Sequence, residues 1–360
     1  MNSTKRKIMS AEDCVRVGDY LYFIAADINV VFKLCIYTGE TEIVSHIPGE
    51  AMNAKRLGSK IIHHGDELIF APITAKNIWI YNLETEKWDS IERREFINWT
   101  SWTKLGSMLQ GVYYNEKLYF IGSVYPAIIE LSLQTRDINY ITEPYERYLK
   151  DAEKLQDAFF RTDYVKKDNV IYLASCLKNE VMKFNLDTYD VEYFAVGGAD
   201  NRYSGITFCN NKFYLAPRKC MPVVIWDGNN KWEEIELPQP YKNLDTYWFG
   251  GAVECNEKIL FTAYAGNVSF ALNINEKSRL EIIEEKYWFY KRIDASTRVS
   301  LTHQGVLEIE ADKQYYRYEL SLPTDELRQY IKSNEYDAFN MVSIQRENFF
   351  WDLEMFVSMI

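Results

Sequence analysis

Along this chain short runs of alternating apolar and polar residues recur at a nearly constant interval. One unit reads as an apolar strand, a two-residue turn and a second strand rich in Leu, Ile, Tyr and Phe. Copies occupy 16–23, 63–70, 113–120, 166–173, 208–215 and 254–261, with a worn seventh at 302–309. Alternation with period two marks half-buried strands. The turn pairs are Gly18-Asp19, Gly65-Asp66, Asn115-Glu116, Asp168-Asn169, Asn210-Asn211, Asn256-Glu257 and Gln304-Gly305. Tight hairpins need positive φ, which Gly, Asn and Asp tolerate best.

Aligning Leu21, Leu68, Leu118, Ile171, Phe213, Ile259 and Leu307 gives spacings of 47, 50, 53, 42, 46 and 48. Propeller blades repeat at about 40–50 residues, longer than ankyrin or leucine-rich units. A third and fourth strand follow each hairpin, as at 78–82 and 88–91, or 181–185 and 191–194. The pattern predicts an all-β chain: a seven-bladed β-propeller over 1–323, four antiparallel strands per blade, closed so that no sheet edge is left open. Repeat cores fall near 14–47, 60–92, 109–142, 162–196, 205–237, 250–284 and 298–322.

The segment from Ile78 to Trp88, in which Tyr81 and Trp88 flank six residues, resembles a kelch repeat. Trp226 to Trp232 is a shorter echo, and Phe184 to Val191 keeps the spacing. Kelch repeats end the second strand in Gly-Gly; here Ala25-Ala26, Ala71-Pro72, Ala216-Pro217 and Thr262-Ala263 stand there, and Gly250-Gly251 is read as preceding a first strand. The resemblance, to the superfamily that includes the galactose-oxidase central domain, implies the propeller architecture. The paired histidines and modified tyrosine of the copper oxidases have no counterpart set here.

Two segments interrupt the repeat. Residues 144–158 are rich in helix formers, with Pro144 near the start, and predict a short helix between blades three and four. A tail over 324–360 predicts a helix at 324–331 with Thr324 as its N-cap. In a second helix Phe349, Leu353, Phe356, Val357 and Ile360 share one face. This C-terminal helix packs on the propeller wall or mediates association with a partner or a second copy of the chain. A closing strand for the seventh blade is offered by either 6–10 or 338–344.

Composition sharpens this picture. Of 360 residues 47% are hydrophobic and 15% aromatic, which favours sheet. The net charge of −11 opposes a phosphate backbone and excludes general nucleic-acid binding. No apolar run is long enough to predict a membrane span, and the basic start lacks the apolar core of a signal peptide. Six scattered cysteines without a CxxC fit reduced thiols in a cytoplasm.

Long loops on a rigid scaffold carry binding. The loops at 96–102, 241–249 and 287–290 are aromatic and lie opposite the tight turns. On that rim Arg161, Lys178, Arg202, Arg218 and Lys219 should converge, with Tyr203, Tyr125, Tyr264 and Trp248 beside them. Guanidinium and ammonium groups meeting on an acidic chain suggest an anionic ligand. His64 and His303 precede the first turn of their units, which places them on the tight-turn face. His46 and His63 complete the four histidines, and no metal or cofactor motif accompanies them. The expectation is a non-catalytic propeller binding a protein partner or an anionic small molecule. The alternative is a carbohydrate-active enzyme (epimerase, lyase or hydrolase) on acidic sugars.

Overall fold

A hairpin that turns in two residues twists with its strands when the turn is of a primed type, in which the first or both turn residues carry positive φ. In the computed structural model Gly18, Gly65, Asn115, Glu116, Asp168, Asn210, Asn211, Asn256 and Glu257 all do, with φ between 46° and 63°. The structure describes residues 6–94, 108–155, 157–161, 163–242, 244–276 and 279–334. Seven four-stranded antiparallel sheets, each ordered as in the chain, make the fold a seven-bladed β-propeller. The chain divides into two compact units, Met1–Arg94 with Trp288–Ile360, and Glu95–Tyr287.

In the first unit, blade 1 comprises Ala11–Val17, Tyr20–Ala25, Val31–Cys35 and Thr41–Ser45. Blade 2 comprises Gly58–His64, Glu67–Pro72, Asn77–Asn82 and Trp88–Glu92. Blade 7 begins at the unit boundary with Tyr287–Arg292 and continues through Thr297–Thr302, Val306–Ala311 and Gln314–Glu319. Second strands are the most buried, because sheets cover them on both faces; fourth strands are the most exposed. The six-residue gap between Tyr81 and Trp88 is cross-strand pairing: the two residues sit directly opposite, with ring centroids 5.0 Å apart.

Blade 7 is one strand out of step with the aligned repeat. Its first turn lies at 294–296, and Gln304-Gly305 instead joins its second and third strands. A recurring backbone bond identifies the turns: Ile36 N–H donates to Asp19 O, Leu83 to Asp66 O, and Asp312 to Ser296 O. The true turn contains no Gly or Asn. Its shape is held by the Asp294 carboxylate, which accepts from the Ser296 N–H at 2.7 Å and hydroxyl at 2.9 Å. His303 therefore stands at the end of the blade opposite the tight turns, its ring stacked on Trp288 at 4.2 Å.

The N-terminal segment offered as a closing strand does not enter blade 7. Arg6–Ile8 pairs with Ser321–Pro323 in a separate two-stranded ribbon, and 338–344 lies outside the described residues. Helix α3 (Thr324–Ser333) follows the ribbon. Its N-cap is Pro323 rather than Thr324, with no side-chain cap. Leu327 is buried, and the Tyr330 hydroxyl meets His46 Nδ1 at 2.8 Å. The later tail helix, for which packing on the wall and docking of a partner are the alternatives, lies outside the described residues.

The second unit holds four blades. Blade 3 is Met108–Tyr114, Lys117–Gly122, Ile128–Ser132 and Ile138–Ile141, and blade 4 is Val165–Lys167, Val170–Ala174, Glu180–Asn185 and Val191–Ala195. Blade 5 is Tyr203–Cys209, Lys212–Pro217, Val223–Trp226 and Trp232–Ile235, and blade 6 is Phe249–Cys255, Lys258–Ala263, Ser269–Asn273 and Leu280–Ile283. Gly250-Gly251 thus lies inside a first strand. The insertion forms two short helices, α1 (Glu143–Glu146) and α2 (Leu149–Leu155). Tyr145, Tyr148 and Ala152 bury it against blades 3 and 4.

Candidate functional site

The site is built where chain segments leave the second strands or enter the first strands of the second unit, at the end opposite the tight turns. Arg218 follows the second strand of blade 5 and is buried. Its Nε and Nη2 hold the Asp157 carboxylate at 3.1 and 2.5 Å, a bidentate pair across 61 residues of chain. Asp157 sits just past α2, so the helical insertion delivers this carboxylate. The guanidinium also lies over the Tyr247 ring, 4.4 Å from its centroid. Pairing through Nε and Nη2 leaves Nη1, which is buried and has no acceptor among the described residues.

Arg161 lies four residues beyond Asp157, on the segment entering blade 4. Its guanidinium is 4.3 Å from the centroid of Tyr264, whose residue remains 46% exposed, leaving that cation–π platform open to solvent. Arg161 Nε is buried without an acceptor among the described residues. Cys176 lies within electrostatic reach of Arg218, Asp157 and Arg161. Burial pushes its thiol up to about 12 despite both arginines, so it is a protonated wall rather than a nucleophile. For Arg218, burial works against the charge, while the Asp157 carboxylate holds its proton more tightly than usual.

Beneath this cluster two polar residues, one in the first strand of blade 3 and one just before that of blade 4, knit the blades together. Gln110 of blade 3 is fully buried; its Nε2 donates to the carbonyls of Arg161 and, at 2.8 Å, of Asp163. Asp163 accepts from the Ala252 N–H at 2.7 Å. It can reach blade 6 because Gly205 and Gly251 lack side chains: a Cβ on either would lie 2.3 or 2.1 Å from its Oδ2.

Of the residues the sequence singles out, Arg161, Arg218 and Tyr264 come together here. Lys219 is adjacent, paired with Asp245 and 5.6 Å from the Tyr247 ring centroid. The others serve the fold. Lys178 docks the insertion, through Asp151 at 3.3 Å and the Arg147 carbonyl at 3.2 Å. Arg202 bonds the carbonyls of Ala199 and Asn201 in its own loop. Tyr203 is buried with its hydroxyl on the Val196 carbonyl at 2.6 Å. Trp248 is a core residue whose indole donates to Val268 O at 2.9 Å, and Tyr125 is buried near Tyr140. The loop at 96–102 lies outside the described residues. Sequence reasoning missed Asp157, Tyr247, Cys176, Gln110 and Asp163.

Fold and site define a propeller with a buried, partly neutralised cationic cluster on one unit. No known protein family and no curated protein matches the chain by sequence. Solved structures match it by fold. Virginiamycin B lyase from Staphylococcus aureus, solved as a catalytically inactive variant with quinupristin, superposes with a TM-score of 0.60 at 11% identity, covering 84% of this chain and 94% of its own. BamB from Moraxella catarrhalis gives 0.53 at 12% identity, covering 88% and 90%. PorZ, a surface component of the type-IX secretion system of Porphyromonas gingivalis, gives 0.55 at 11% identity, with 89% of this chain but 39% of its own covered. At such identities the likeness is one of architecture, and one architecture hosts many functions. In the described residues no helix is long and apolar enough to cross a membrane.

Proposed function

We propose that this protein is a binding module for an anionic group, a small acidic molecule or the acidic side chain of a protein partner, held between Arg161 and Arg218. The observation that carries the reading is the pair of buried guanidinium nitrogens, Arg161 Nε and Arg218 Nη1, that lack acceptors among the described residues. A buried donor left unpaired costs about 1–3 kcal/mol, more when charged, and an anion recovers that cost. Binding rather than catalysis fits the cluster's chemistry. Its carboxylate is tied up by Arg218, and its thiol holds its proton far above neutral pH. Within the propellers we place the chain beside the kelch type, on the cross-strand Tyr81–Trp88 pair.

The test is a thermal-shift titration with acetate, phosphate and galacturonate at matched chloride, on wild type and Arg161→Gln. Arg161 makes no side-chain hydrogen bond to the described residues, so the variant should fold normally. Stabilisation of wild type that falls at least tenfold in apparent affinity in the variant supports the reading. Unshifted wild type, or equal shifts in both proteins, overturns it.

A further inference from the structure

Ten large hydrophobic residues are exposed among the described residues, and four of them stand around the Arg161 and Arg218 cluster. They are Leu155, Leu244, Tyr247 and Tyr264, exposed by 52, 40, 42 and 46%. No other leucine among the described residues is exposed. Scattered apolar residues on a surface need no explanation, but these four are joined by one closed circuit of contacts. Leu155 ends α2, and two residues further on Asp157 holds Arg218. The Arg218 guanidinium lies over Tyr247, in the same loop as Leu244, whose carbonyl accepts from the Thr246 N–H at 2.9 Å. The next residue, Trp248, donates its N–H to Arg218 O at 3.2 Å and accepts the Tyr264 N–H on its own carbonyl at 2.7 Å. The Tyr264 ring carries Arg161, four residues along the chain from Asp157, and the circuit closes. Every member belongs to the second unit.

The charge of this circuit is opposite to that of the chain. Arg161, Arg218 and Lys219 stand against the carboxylates of Asp157 and Asp245, and Arg161 is in no ion pair among the described residues. On a chain of net charge −11 this is a local positive excess. Stacking over Tyr264 and Tyr247 already fixes both guanidiniums and both rings, so little side-chain freedom is left to lose on binding. Tyrosine and arginine set among apolar neighbours are the composition of a protein-binding hot spot. A small acid reaches the cations and leaves the leucines uncovered. A sugar stacks on tyrosine rings and has no aliphatic side chain for Leu155 or Leu244. A polypeptide segment supplies both kinds of group from one backbone.

Resting on the anion-binding reading for the sign of the partner's charge, we infer that this circuit is the docking surface for a protein segment that carries acidic and aliphatic side chains together. Its carboxylates meet Arg161 and Lys219, and its apolar side chains cover the two leucines and the exposed parts of the two tyrosine rings. Leu155, Leu244, Tyr247, Tyr264 and Lys219 all reach solvent, so docking needs no cavity.

Random peptides about a dozen residues long, selected by display on the full chain and then titrated by fluorescence anisotropy, test this. Enriched sequences should combine Asp or Glu with Leu, Ile or Phe. Leu155→Ser and Leu244→Ser should each weaken the synthesised peptides by about tenfold or more, as should Arg161→Gln. Affinity should also fall as sodium chloride rises. Ile282→Ser, at a similarly exposed apolar position on the outer strand of blade 6, should leave affinity unchanged. The two leucines lie on separate elements, so a fold lost in one variant leaves the other to decide. Enriched peptides without acidic residues, or affinities indifferent to the leucine variants or to Arg161→Gln, overturn the inference. So does sedimentation showing that Leu155 and Leu244 join two copies of the chain. The anion reading is judged separately: it stands if acetate, phosphate or galacturonate stabilises wild type more than Arg161→Gln, and falls without such a shift, whatever the peptides do.

Discussion

Replacing Asp157 by Asn removes one charge from a pair whose side chains are only 7% and 11% exposed, with little change in shape. Two opposite charges about 4 Å apart attract by about 4 kcal/mol at an effective dielectric of about 20. Breaking a buried pair from one side costs about 3–5 kcal/mol, because the surviving charge stays desolvated. Asp157→Asn should therefore lower the free energy of unfolding by about 3–5 kcal/mol in urea titrations followed by tryptophan fluorescence. Arg218→Met, which keeps the aliphatic volume over Tyr247, should cost less, since a lone carboxylate can take up a proton. The double variant should fall short of the sum of the singles by about 1–3 kcal/mol, the coupling expected of residues in contact. Added formate supplies the missing carboxylate. At ten times its dissociation constant it should return about 1.4 kcal/mol to Asp157→Asn, and nothing to Arg218→Met, which controls for general salt effects. Additive single variants, or equal rescue of both by formate, would refute the claim that Arg218 is a desolvated anion receptor already occupied in part by Asp157.

Other expectations follow from neighbouring geometry. Gly251→Ala should destabilise by about 1–3 kcal/mol and lose most of that cost once Asp163→Ala is present, since the three atoms nearest its Cβ all belong to Asp163. Gly205→Ala should stay costly in that background, because its Cβ also falls 2.6 Å from Gly251 Cα and 2.8 Å from Ala252 N; urea midpoints separate the two. In timed alkylation at pH 8 read by mass spectrometry, Cys35 should label first, its thiol lowered by the Thr38 hydroxyl bond. Cys14 and Cys176, both pushed up to about 12 by burial, should label only on unfolding. Burial alone would raise Glu130, but bonds from Tyr189, Lys117 and Tyr119 hold it below the ordinary carboxylate value. A depressed folded-state pKa gives stability that is present above about pH 4.3 and is lost as pH falls through the folded value. Carboxyl NMR should show Glu130 titrating low, and higher in Tyr189→Phe.

The blades were legible because a turn constrains chemistry locally: positive φ restricts residue choice, and all six copies carry it at the first turn position, three of them also at the second. The seventh was misread for a related reason. Its turn at 294–296 is held by an Asp side chain bonding Ser296, so no Gly or Asn marks it. Meanwhile Gly305, with φ of 80°, marks a different connection that looks like a hairpin turn. The site was only half legible, because its partners are set by tertiary reach. Asp157 reads as one more polar residue at the end of a helical insertion, and nothing near it in the chain signals Arg218. Tyr203 and Trp248 look like a ligand platform in sequence; in the structure each donates its hydroxyl or indole hydrogen bond to a backbone carbonyl, which no local pattern encodes.

One signal for the missed residues does lie in the repeat. Five positions before the first residue of each turn pair the six good copies carry Asp13, Lys60, Gln110, Asp163, Gly205 and Gly251. In the first unit Asp13 is buried, accepts from the Ile61 N–H at 3.1 Å and meets Lys291 at 2.6 Å. In the second, Gln110 and Asp163 bond backbone of other segments, and the two glycines make the space that Asp163 fills. Each unit thus spends this column on polar ties between blades rather than on packing. Only Gln110 retains a buried group without a partner, and it lies against the backbone of Arg161. A column otherwise committed to holding blades together has one member left chemically incomplete, beside two incomplete arginine donors.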